Sequence, residues 1–146
     1  MSPDGTGDVN IKLAPGAEEN AMAVMLGDMI KTNITNNPGK VKDFNKLNGN
    51  VWLTATDAGV EMTMEFNKGS LTIHDGKYGK PIIQIATDSM TLMELANINI
   101  KMGLPYYFDK AGMEVIKKLM KKELVIKGLI THTMPLTHLT KIMSVK

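Results

Sequence analysis

From residue 51 to residue 87 the chain alternates apolar and polar positions in short runs, each closed by turn residues. Period-2 alternation marks a strand with one buried face. The runs predict strands at 51–56, 60–66, 70–74 and 82–87, separated by Asp57-Ala58-Gly59, by Asn67-Lys68-Gly69 and by a glycine-rich loop. Turns this short favour an antiparallel meander, with the glycines of HDGKYGKP reading as a hairpin loop. On the second strand Val60, Met62, Met64 and Phe66 share one face, and Glu61, Thr63, Glu65 and Asn67 share the other. One side is therefore wet and the other covered.

The cover comes from segments with a 3.6-residue period. Met22, Met25, Leu26, Met29 and Ile30 fall at i, i+3, i+4, i+7 and i+8 and predict a helix over 18–32. Val41, Phe44 and Leu47 mark a short helical turn between NNPG and the Asn48-Gly49 break. Asp88 caps a helix over 89–96 that buries Leu92, Met93, Leu95 and Ala96. Asp109 caps another, running to about residue 122, with Met113, Ile116, Leu119 and Met120 on one face. The branched run ELVIKGLIT, 123–131, reads as a fifth strand. Pro135 then opens a terminal helix lined by Leu136, Leu139, Ile142 and Met143. The expected architecture is α+β: one sheet and one helical layer in a single domain over 18–146, preceded by a flexible arm over 1–17. No internal repeat interrupts this order.

Composition narrows the function classes. Arginine is absent, the 17 basic residues are balanced by 15 acidic ones, and only three phenylalanines, three tyrosines and one tryptophan offer stacking surfaces. Phosphate and base-edge recognition lean on arginine's planar fork and on aromatic platforms, so nucleic acid is not an expected partner. Without cysteine there is no disulfide, thiolate metal site or thiol nucleophile. The segment MSPDGTGDVN lacks the features of a signal peptide, and no apolar run approaches the ~18 residues of a membrane span. A cytoplasmic protein is the expectation. Methionine, at 13 residues of 146, is the conspicuous component. Its unbranched thioether fills irregular space and suits surfaces that must accept variable shapes.

Candidate chemistry is sparse. The three histidines, His74, His132 and His138, lack paired ligand spacing, an H-E-x-x-H pattern or a G-x-S-x-G elbow. DGTGD lacks the closing bidentate glutamate of a calcium loop, and no glycine-rich phosphate loop precedes a helix. Lys117, Lys118, Lys121 and Lys122 recur in pairs one helical turn apart. They read as a solvated face or, alternatively, as a weak patch for anionic head groups, worth about 1 kcal/mol per lysine at a charged membrane. No metal and no cofactor is expected.

Two stretches carry a resemblance. GNVWLTATDAGVEMTMEFNKGSLTIHDGKYGKPIIQIATDSMTLMELAN, residues 49–97, sends a meander straight into an aspartate-capped helix. KELVIKGLITHTMPLTHLTKIMSV, residues 122–145, leads a lysine-flanked branched strand into a final helix. The order resembles the sterol carrier protein type 2 family of lipid-binding domains over roughly residues 20–145. The resemblance implies a five-stranded, mostly antiparallel sheet covered on one side by helices and enclosing an apolar cavity for sterols, fatty acyl chains or other lipids, with no shared catalytic residues. The segment from residue 97 to residue 123 is longer and more helical than the family's usual connection, which would reshape or seal the cavity mouth. Met62 and Met64 on the sheet would then face Met93, Met113, Met120 and Met143 on the helices, and these six form the expected ligand lining. Trp52 stays unassigned, since its strand phase could point outward.

Three function classes follow: a non-catalytic lipid or sterol carrier, an accessory scaffold of the same fold that holds partner enzymes or lipophilic intermediates, and an enzyme on a hydrophobic substrate. The first is the expected one, with a fatty acyl, sterol-like or quinone-like lipid as partner and at most transient membrane contact. Whether the chain forms a homodimer is left open by the sequence.

Overall fold

The computed structural model describes residues 10–95, 99–101, 104–106, 113–114, 117–118, 120–121, 125–127 and 133–143. Six strands form one sheet in the order β1-β4-β3-β2-β5-β8. They are β1 (Asn10–Leu13), β2 (Asn48–Ala55), β3 (Val60–Asn67), β4 (Ser70–Asp75), β5 (Pro81–Thr87) and β8 (Val125–Lys127). A short hairpin of β6 (Asn99–Lys101) and β7 (Leu104–Tyr106) stands apart. The helices are α1 (Ala21–Asn36), α2 (Val41–Lys46), α3 (Ser89–Leu95) and the terminal α4 (Thr133–Met143). Met113, Glu114, Lys117, Lys118 and Met120 also have helical conformation.

The α+β class stands, but the sheet is mixed and six-stranded rather than five-stranded and mostly antiparallel. β2 pairs antiparallel with β3, and β3 with β4, while β1 runs parallel to β4 and β5 parallel to β2. Two corrections follow. Residues 10–13, expected in the flexible arm, supply an edge strand that places Ile11 and Leu13 beside Leu71 and Ile73. The glycine-rich connection after β4 is not a hairpin loop: residues 76–80 cross β3 and β2 to reach the far side of β2. Two hydroxyl-centred hydrogen bonds hold this strap, as Thr63 Oγ1 donates to Gly76 O and accepts from Tyr78 N, both at 2.8 Å. Thr63, expected on the wet face, is fully buried beneath it.

The inward face carries Val51, Leu53, Met62, Met64, Phe66, Leu71, Ile73, Ile83 and Ile85, all buried in one cluster with Leu26, Ile30 and Ile34 of α1. α1 lies close to the sheet because Gly27 has no side chain; a Cβ there would stand 3.2 Å from Ile73 Cδ1. The helix starts at Ala21, later than expected. Asn20 caps it, accepting from Met22 N and Ala23 N while its Nδ2 donates to Glu61 O and Asp75 Oδ1. One amide thus ends the helix and ties that end to the sheet. α2 is anchored by Phe44, whose ring meets Phe66 edge-on at 6.1 Å.

Candidate hydrophobic-ligand site

The alternation of β3 puts Met62 and Met64 at the centre of the inward face, opposite Leu53 and Val51 of β2, with Ile73 of β4 on the other flank of Met64. Both are 0% exposed. Met143, in the last turn of α4, is 1% exposed in the same cluster, with Leu139 and Ile142. Three of the six expected lining residues therefore meet between sheet and helices.

Two of the other three do not join them there. Met113 and Met120, expected on a buried face, are exposed, at 39% and 80%. The Met93 side chain lies outside the described residues, as do Ile116 and Leu119. Around α1 the core stripe runs through Ala23, Leu26, Ile30 and Ile34, so Met22 and Met29 are only partly buried and Met25 is exposed. Among the described residues Met62, Met64 and Met143 belong to one contiguous buried cluster.

α4 is held in place by polar groups that periodicity did not single out. Asn33 of α1 donates from Nδ2 to the carbonyls of Ile142 and Met143, both at 3.0 Å, satisfying two of the terminal acceptors that a helix leaves unpaired. Asp43 of α2 lies 2.8 Å from His138 Nδ1 and 2.9 Å from Lys141 Nζ, both on α4. A carboxylate only accepts, so Nδ1 carries the shared hydrogen. Lys40 is buried nearby. Burial pushes its pKa below the usual lysine value, Asp43 opposes that shift, and Lys141 adds to it. The spacing of Asp43 from α4, 95 residues away, left no local signal of this ion cluster.

The remaining histidines and lysines follow the same structural pattern. His74 Nε2 lies 2.9 Å from Glu65 Oε1, and its ring stacks on Tyr78 at 3.8 Å, pinning the strap. His132 and Lys122 lie outside the described residues. Lys117 pairs with Glu114 and Lys118 with Asp88, each at 3.6 Å, which dilutes the alternative reading as a patch for anionic head groups. At the start of α3, hydrogen bonds from Thr91 hold the Asp88 carboxyl below its ordinary pKa, with Lys118 adding to the shift. Side-chain and backbone hydrogen bonds from Ser89 do the same for Asp57. Among the described residues no group of histidine, aspartate and glutamate could hold a metal ion, and no helix is long and apolar enough to cross a membrane.

No family model and no curated protein matches the sequence. The fold nevertheless matches solved structures. One, described as "UbiJ-SCP2 Ubiquinone synthesis protein", superimposes with a TM-score of 0.61 at 9% identity, covering 87% of this chain and 99% of its own. A crystal structure of sterol carrier protein 2 gives a TM-score of 0.50 at 14% identity, covering 81% of this chain and 90% of its own. The chain has an SCP2-like fold.

Proposed function

We propose that this protein binds a hydrophobic small molecule, a fatty acyl, sterol-like or quinone-like lipid, between its sheet and helical layer, as a non-catalytic cytoplasmic carrier. The observation that carries this reading is the placement of three thioethers, Met62, Met64 and Met143, in the helix–sheet interior of an SCP2-like fold. Methionine has three rotatable bonds and repacks around foreign shapes at low cost. A core built on it can admit a ligand that a core of branched residues would exclude. His74 and His138 are each engaged in a structural contact, which supports a binding role over catalysis.

Thermal unfolding of delipidated protein, with and without palmitate, cholesterol or a short-chain quinone, tests this. Selective binding to the native state raises the midpoint by mass action, by about 2.7 kcal/mol of stability when free ligand is a hundred times its Kd. Replacing Met62 and Met64 together by isoleucine should weaken that rise while leaving the apo protein folded. If no lipid moves the midpoint, the carrier reading fails.

The exposure of Met90, Met113, Met120 and Met134, all after β5, favours a second reading. Exposed methionines suit adaptable protein contacts, and a neighbour in fold is described as a ubiquinone synthesis protein. An accessory protein would form a stoichiometric complex with its partner enzyme and remain indifferent to free lipid.

A further inference from the structure

On the face opposite the helices, β2, β5 and β8 present two successive rungs of side chains. Trp52, Gln84 and Lys127 form one rung, and Thr54, Ala86 and Val125 the other. These residues line a groove of about 260 Å³, with Lys77 of the strap at its rim. Three strands span roughly 10 Å, and two rungs lie roughly 7 Å apart along them, about the footprint of one or two fused rings. Thr54 and Ala86 are small, so the floor dips between Trp52 and Val125.

The aromatic wall is set before any ligand arrives. Trp52 Nε1 donates to Tyr78 O at 3.0 Å, and Lys77 Nζ stands 5.2 Å from the indole centroid. Tyr78 is itself stacked on His74. Lys77 pairs with Glu61 at 3.3 Å, so those two charges largely offset each other. Lys127 is exposed on edge strand β8, and among the described residues no carboxylate pairs with it. The groove thus combines a held indole, an apolar floor, one amide and an unmatched positive charge.

We propose that this outer groove is a second binding site, specific for a small planar aromatic anion of one or two rings, whose ring lies along Trp52 over Ala86 and whose acid group meets Lys127. Gln84 supplies a further donor or acceptor at the ring edge. The site is independent of lipid binding in the helix–sheet interior, because the sheet itself separates the two.

Trp52 is the sole tryptophan, so its indole N–H is a single, unambiguous resonance for the test. The probe is 2-naphthoate, titrated into the ¹⁵N-labelled full-length protein, with its neutral methyl ester as the comparison. A saturable shift of the indole resonance is expected. Lys127→Ala should weaken binding of the acid roughly tenfold, the scale of one charge-assisted hydrogen bond, and leave the ester unchanged. Ala86→Leu should fill the floor and remove both. Lys127 is exposed, so its variant stays folded and carries the test even if Ala86→Leu does not. No saturable shift overturns the proposal, and so does acid binding that Lys127→Ala leaves unaltered.

Discussion

Replacing Asp43 by alanine should destabilise the protein by about 3–5 kcal/mol, the usual cost of breaking a buried ion pair by removing one partner. The side chain of Asp43 is only 8% exposed, and it bonds both His138 and Lys141 on α4. Its removal takes away the carboxylate that bonds Lys141 and offsets the repulsion between Lys141 and Lys40 at a largely dry helix–helix seam. Lys40 is already held below its usual pKa by burial, so the loss falls on a cation that is poorly solvated. For a chain of this size each kcal/mol moves the melting temperature by roughly 2–4 °C, so the midpoint should fall by about 10 °C. Calorimetry at pH 7, together with urea unfolding, measures it. Asp43→Asn should fall between the native protein and Asp43→Ala, and Lys141→Met in the Asp43→Ala background should restore part of the loss. A loss below about 1 kcal/mol for Asp43→Ala would refute the assignment of this cluster as the clamp on α4.

The other consequences are simpler. Met143→Lys should unfold the protein or cost several kcal/mol, roughly the penalty for an unpaired buried charge, whereas Met120→Lys should change stability by less than about 0.5 kcal/mol; chemical denaturation separates them, and equal effects would contradict the burial of Met143. Gly49 adopts φ 136°, and a Cβ there would stand 2.9 Å from Ile82 Cδ1, so Gly49→Ala should lower stability by about 1–3 kcal/mol, read from the same curves. Hydrogen bonds from Ser89 hold the Asp57 carboxyl below its ordinary pKa. Its stabilising contact is therefore present above that ordinary pKa and lost as pH falls through the lower folded-state pKa. Asp57→Asn should flatten the acid limb of a stability–pH profile and leave the neutral region with a smaller, pH-independent change.

Local pattern made much of this molecule legible. The inward phase of Met62 and Met64 followed from alternation alone, and Asp88 N-caps α3 as its position predicts, accepting from Thr91 N at 2.7 Å. Pro135 falls at the third position of α4 rather than the first, still within the turn whose N–H groups have no partner in the helix. What failed was nonlocal. Four residues with two apolar positions cannot announce β1, since its pairing partner lies sixty residues away. Alternation identifies β5 as a strand but says nothing about whether it lies beside β4 or β2. The parallel β2–β5 pairing converts an apparent hairpin loop into a strap across the outer face. That strap buries Thr63 and sets the Trp52 wall, so the outer groove had no signature in the sequence beyond the outward phase allowed for Trp52. Helical periodicity likewise assigned Met113 and Met120 to an apolar stripe, but a face is settled by what packs on it, and these two face solvent. The cluster of Asp43, His138 and Lys141 joins α2 to α4 across the chain, and neither helix's own pattern contains it.

The most direct measurement is native mass spectrometry of the purified protein, followed by organic extraction and comparison with an empty-vector control. A lipid carrier yields a reproducible adduct of lipid mass that is lost on extraction and regained on incubation with the extracted lipid. A clean apo mass, unchanged after incubation with fatty acids, sterols and quinones, would contradict ligand binding in the methionine-lined interior.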